Sequence, residues 1–85
     1  MKITAELSLY PLATPDYKEI IQQYIDRLHT FKHIEVRTHA LSTEIFGDYE
    51  SIMKAVQEAT RTVFERQEGV ILVAKYLNAD RSKAS

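Results

Sequence analysis

Ile3, Ala5, Leu7 and Leu9 alternate with Thr4, Glu6, Ser8 and Tyr10 at the start of the chain. A period of two predicts a strand with one apolar and one polar face. Pro11 lacks a backbone donor and predicts its end. The period then changes. Tyr17, Ile20, Ile21, Tyr24, Ile25, Leu28 and Phe31 recur at helical spacing and form one broad stripe, which predicts a helix lying flat on a sheet. Thr14-Pro15-Asp16 precedes it. This segment offers a hydroxyl cap, a ring suited to the first helical position and an acid at the positive end of the dipole.

Alternation returns with Ile34, Val36 and Thr38 against Glu35, Arg37 and His39, and a shorter strand is expected over Ser42 to Phe46. A two-residue connection at Ala40-Leu41 sets Val36 opposite Ile45 and Arg37 opposite Glu44, pairing apolar with apolar and cation with anion. Ala-Leu is not a favoured hairpin turn, so the register rests on the side-chain pattern. Gly47-Asp48 is read as a break, with Asp48 as a cap. Ile52, Val56, Ala59 and Val63 mark a second amphipathic helix, widened by Met53 and Phe64, and Gly69 is placed to end it in a left-handed conformation. Val70 to Leu77 is a last strand, apolar at nearly every position.

The order β-α-β-β-α-β, in two halves of similar length, predicts an α+β domain of the ferredoxin-like type. Its antiparallel sheet would run in the order 4-1-3-2, with both helices on one face. The domain is expected over residues 1–78, with a polar, flexible tail over 79–85. The other face of the sheet is then uncovered in a single copy. Glu6, Ser8 and Tyr10 of the first strand and Ser42, Glu44 and Phe46 of the third point to it. Two acids, two hydroxyls and two rings thus converge on neighbouring central strands.

Composition narrows the function. An 85-residue chain buries only about 60–65% of the surface that its unfolded form exposes, and this one has no cysteine to staple it. Oligomerisation is therefore an expected source of stability. The net charge is −1 with mixed signs, which gives no basic block for nucleic acid or an anionic membrane. No apolar run reaches transmembrane length, and the N-terminus reads as a strand and not a signal peptide, so a cytoplasmic address is expected.

Chemistry outside the open face is sparse. His29, His33 and His39 have no acid or cysteine at ligand spacing, so no metal site is expected. Tyr17, Tyr24 and Phe31 belong to the apolar stripe and read as core. No nucleophile–base pair, phosphate loop or zinc motif is present, and no cofactor or catalysis is expected. The basic, glycine-rich aromatic motif of RNA-recognition sheets is absent. The Glu6–Glu44 pair is too common a pattern to carry acid–base catalysis by itself. Two central glutamates do repel each other, and need solvent, a partner such as Arg37, or a ligand with cationic or donor groups. An open antiparallel face can simply be wet. The apolar last strand argues instead for a face covered by a second copy.

Two phrases carry a family resemblance. Leu7-Ser8-Leu9-Tyr10-Pro11-Leu12 and Leu41-Ser42-Thr43-Glu44-Ile45-Phe46-Gly47-Asp48-Tyr49 resemble the YKOF-type thiamin/hydroxymethylpyrimidine-binding domains, and the order of elements matches to about Leu77. The resemblance implies a ferredoxin-like fold that binds thiamin or its pyrimidine part without catalysis. The family's architecture uses two repeats in tandem. This chain has one, so a homodimer or higher even oligomer is expected to close two open faces on each other.

The residues agree with that ligand class. Glu6 or Glu44 can accept from an exocyclic amine or balance a thiazolium. Ser8, Ser42 and Thr43 can bond ring nitrogens or a hydroxymethyl group, and Tyr10 or Phe46 can stack on a pyrimidine. Thr43 enters through the Ser-Thr-Glu phrase, although the register turns it inward. The expected function is a small-molecule carrier, sensor or salvage-associated protein. The alternative is a structural or regulatory homo-oligomerising domain with no small-molecule ligand.

Overall fold

The computed structural model describes residues 1–83. Its elements are β1 (Lys2–Pro11), α1 (Tyr17–Leu28), β2 (Ile34–Thr38), β3 (Thr43–Asp48), α2 (Tyr49–Arg66) and β4 (Val70–Leu77). All strand pairs are antiparallel, in the order β2-β3-β1-β4. This is the predicted sheet read from its other edge. Of the tail expected over 79–85, residues 84–85 lie outside the described residues.

The alternation of β1 decides how the layers meet. Ile3, Ala5, Leu7 and Leu9 are buried against the helices. There they join Ile20, Tyr24 and Leu28 of α1, Ile45 of β3, and Ile52, Val56 and Val63 of α2 in one core. Leu28, Ile45 and Ile52 are fully buried, each worth roughly 1.5–3 kcal/mol of transfer free energy. Tyr24 bridges the two helices through a 3.1 Å hydrogen bond between its hydroxyl and that of Thr60. Burial pushes the Tyr24 hydroxyl up to about 12, because an ionised phenol there would lose its hydration.

The hairpin register is the expected one: Val36 lies opposite Ile45 and Arg37 opposite Glu44. Ala40-Leu41 makes the connection with neither residue at positive φ, closed by a 2.8 Å bond from the His39 N–H to the Ser42 carbonyl. The preference for core-facing Val36 and Ile45 outweighs the poor turn residues, since a one-residue slip would turn both outward.

Several element ends differ from the sequence reading. α1 begins at Tyr17 and not at Pro15. Thr14 Oγ1 accepts from the Asp16 N–H at 3.3 Å, forming a local turn, and the Asp16 carbonyl accepts the first helical bond from Ile20. Phe31 lies beyond the helix, yet packs on the core and carries the Arg27 guanidinium 4.6 Å from its ring centre. The strand expected from Ser42 to Phe46 runs instead from Thr43 to Asp48, so Gly47-Asp48 is not a break. Gly47 pairs with Ile3 and Ile34, and an added Cβ there would meet the His33 carbonyl oxygen at 2.8 Å. The glycine therefore permits close backbone approach. His33 has φ +69°, a conformation that histidine visits more readily than most residues. Gly69 is left-handed at φ +75°, but it turns the chain into β4 after α2 has already ended at Arg66.

Candidate ligand-binding face

Strand pairing brings four charges into one row across the open face. Reading β2 to β4, the row is Arg37, Glu44, Glu6 and Lys75, each Cα opposite the next. The signs run plus, minus, minus, plus. Glu6 and Glu44 are direct partners on the two central strands, with side chains 43% and 32% exposed. Like charges directly opposite each other are destabilising, so the neighbours of this pair matter.

Each carboxylate has its own set of contacts. Glu6 Oε1 lies 3.7 Å from Lys75 Nζ, and Glu6 Oε2 accepts from Ser42 Oγ at 3.2 Å. Glu44 Oε1 lies 2.6 Å from His39 Nε2. Arg37, the partner that the sequence suggested for Glu44, points elsewhere. Its Nε bonds Glu35 at 2.5 Å, its Nη2 donates to the Ser82 carbonyl, and its guanidinium covers the Phe46 ring at 4.9 Å.

The predicted residues divide into two groups. Glu6, Ser8, Ser42 and Glu44 come together at the centre of the face, with Tyr10 half exposed at the end of β1 beside Ile71. Ser8 Oγ reaches towards the Leu41 carbonyl at 3.4 Å. Phe46 shares the face but is only 4% exposed beneath Arg37, so its ring is not free for stacking. Thr43 is 5% exposed and turned to the helices, as the register requires. It borders a cavity of about 100 Å³ at the hairpin, together with Leu7, Leu9 and Ile25, and Ser8, Ser42 and His39 line the same cavity.

Three further residues belong to the face. Lys75 was legible as the polar position of the outward row Ile71, Val73, Lys75, Leu77 in β4. His39 continues the Glu35–Arg37 row, so alternation puts it on this face, across from Ser42 and diagonal to Glu44. Thr4 belongs to the polar row of β1, but nothing local marked its burial. It is 6% exposed because the chain after β4 returns over it: its Oγ1 donates to the Ala79 carbonyl at 2.8 Å and accepts from the Arg81 N–H at 2.9 Å. A tail read as loose from its composition thus has two hydrogen bonds to a central strand.

The main cavities lie away from the carboxylates. A groove of about 490 Å³ runs between α1 and α2 over Tyr24, Ala59 and Val63, with Arg27 and Arg66 on its walls. It is larger but presents no set of converging groups comparable to the sheet row. Beside the carboxylates, Tyr10, Ile71, Val73 and Leu77 expose 41–50% of their surface; the first three form an apolar strip, and Leu77 lies beyond Lys75. Among the described residues, no three side chains of His, Cys, Asp or Glu are grouped to hold a metal ion. No described helix is long and apolar enough to cross a membrane.

Fold and face together define a single ferredoxin-like domain with a carboxylate-centred polar patch on an uncovered sheet. The chain belongs to the YKOF-related family, whose model matches residues 2–78. No match is found among curated proteins. Solved structures share the fold. A Streptococcus pneumoniae protein superposes with a TM-score of 0.86 at 22% identity, over 94% of this chain and 89% of that one. A hypothetical protein of Methanocaldococcus jannaschii gives 0.81 at 26% identity, over 99% and 87%. A proposed thiamine biosynthesis/salvage protein of Thermotoga maritima gives 0.83 at 19% identity, over 93% and 85%.

Proposed function

We propose that this chain binds thiamin or its hydroxymethylpyrimidine part without catalysis, as a homodimer or higher even oligomer whose open faces meet. The observation that carries the reading is the directly opposed Glu6–Glu44 pair at the centre of the sheet. Two neighbouring carboxylates cost stability; Lys75 beside Glu6 and His39 beside Glu44 offset part of that cost, and a cationic ligand offsets more. Thiamin supplies a positive thiazolium and an exocyclic amine that donates to a carboxylate. Ser8 and Ser42 offer hydroxyls to ring nitrogens, and Tyr10 offers an exposed ring for stacking. Phe46 and Thr43 act from beneath, Phe46 as the support of Arg37 and Thr43 as a wall of the cavity at the hairpin. Membership of the YKOF-related family and the description of the Thermotoga neighbour support the same ligand class.

The shape of the site supports a second copy. A small molecule lying on an open face keeps much of its surface in water, whereas pockets that hold such ligands bury most of it. The strip of Tyr10, Ile71 and Val73, with Leu77 beyond Lys75, supplies apolar area for a partner beside the polar centre. The same strip favours a second reading, in which the domain only joins subunits and binds no small molecule.

Titration calorimetry with thiamin, hydroxymethylpyrimidine and choline separates the readings. Binding of thiamin in preference to choline, a cation without the pyrimidine, supports the proposal. A stable dimer that binds none of the three supports the second reading. Thiamin recovered unchanged after long incubation fits a binding protein. Turnover lost in Glu6→Gln would instead make the carboxylates an acid–base pair.

A further inference from the structure

The segment after β4 changes what Arg37 does. Asn78 to Ser82 crosses the row next to the carboxylates, over Thr4. Thr4 holds this strap through its two hydrogen bonds, to the Ala79 carbonyl and from the Arg81 N–H. Asp80 tightens it by accepting from the Ser82 N–H at 2.9 Å. The strap then presents the Ser82 carbonyl to Arg37.

Arg37 has two places to go. Its Cα lies opposite Glu44, and cross-strand partners have Cβ atoms only about 5 Å apart, well within the reach of an arginine. A free Arg37 can therefore reach Glu44, whose Oε1 already contacts His39. Three contacts hold it in the neighbouring row instead: Glu35 on its own strand, the face of Phe46, and the Ser82 carbonyl. Only the last comes from outside the sheet. Phe46 is buried by the same arrangement.

We propose that the strap Asn78–Ser82 is a latch that draws Arg37 away from Glu44 and so keeps the Glu6–Glu44 pair open to a cation. Arg37 is a positioning residue here, because it acts on the ligand only through Glu44. Release of the strap lets Arg37 turn to Glu44 and compete with any cationic ligand. The proposal rests on the reading of the face as a cation-accepting site.

The test uses the full chain. Thr4→Val keeps the branched shape in the strand and removes both strap bonds, and Asp80→Ala loosens the strap from its outer side. Each should weaken thiamin binding in calorimetry by roughly three- to fivefold, the strength of one partly exposed ion pair that the ligand must displace. Adding Arg37→Gln to Thr4→Val should return the affinity at least to the wild-type value. An affinity unchanged in both single variants overturns the latch, as does a double variant as weak as Thr4→Val, which would make the strap a plain wall of the site. A ligand-free readout separates this outcome from a wrong ligand. In the wild type the Phe46 ring current should shift the Arg37 side-chain protons upfield in NMR spectra, and Thr4→Val should abolish that shift. Arg37 protons that keep the shift in a folded Thr4→Val protein overturn the proposal even if thiamin never binds.

Discussion

Replacing Glu44 by glutamine removes one charge from the central row and leaves its shape nearly unchanged. Two effects on stability oppose each other. The contact with His39 Nε2 at 2.6 Å weakens, and a partly exposed pair of this kind is worth about 0–1 kcal/mol. The repulsion from Glu6 on the adjacent strand disappears, a gain of roughly 0.2–1 kcal/mol for a cross-strand pair. Arg37 enters neither sum, because its guanidinium is engaged by Glu35, Ser82 and Phe46. Stability should therefore stay within about 0.5 kcal/mol of the parent, as for most surface substitutions. Binding has no such cancellation. A hydrogen bond to a charged group contributes about 1.5–3 kcal/mol, so affinity for thiamin should fall roughly ten- to hundredfold. Calorimetry for binding and urea unfolding for stability measure the two quantities on the same preparation. Thiamin bound with undiminished affinity would place the site elsewhere. A loss of stability above about 2 kcal/mol would make Glu44 a structural residue and refute the reasoning from the row.

Three other outcomes follow from the geometry. The Tyr24 hydroxyl titrates at about 12 in the fold against 10.0 when unperturbed, so the folded state holds its proton more tightly. That contribution is complete below pH 10 and is lost as pH rises towards 12. Alkaline unfolding curves should show a loss of about 2–3 kcal/mol across that window. Tyr24→Phe should remove the Tyr24 share of this dependence, leaving that of Tyr76, which burial also raises, and cost about 1 kcal/mol at neutral pH through the lost Thr60 bond; an identical alkaline profile in the variant would contradict the assignment. Gly47→Ala drives a methyl group against the His33 carbonyl oxygen and should destabilise by roughly 1–3 kcal/mol; an unchanged denaturation midpoint would show that the two backbones separate freely. Light scattering at micromolar protein should report a dimer or a multiple of one, with Val73→Lys shifting it towards monomer. A monomeric parent chain would remove the facing-sheet arrangement.

The strands were legible because a strand repeats every two residues and a buried face tolerates no slip. Ile3 to Leu9 told which side of β1 meets the helices, and Val36 with Ile45 told how β2 meets β3, although the Ala40-Leu41 turn carried no signal of its own. Element ends were less legible. Gly47 looked like a break because glycine is rare within strands. Its actual role, contact with the His33 carbonyl, depends on a residue fourteen positions away in a left-handed conformation. The start of α1 moved because the Thr14 hydroxyl closes a local turn with the Asp16 N–H, which leaves the Asp16 carbonyl to accept the first helical bond.

The candidate site divides along the same line. Alternation within each strand determines that Glu6, Ser8, Tyr10, Glu44 and Phe46 share a face, since period and pleat are local properties of the backbone. Tertiary structure decided which of them are available. Phe46 is covered and Tyr10 is not, and Glu44 faces His39 while Arg37 is drawn to Ser82, forty-five residues away. A strand pattern fixes the direction of a side chain. The partner that a long, flexible arginine takes is a competition among groups brought close only by the closed sheet and the returning chain, and that competition has no local signature.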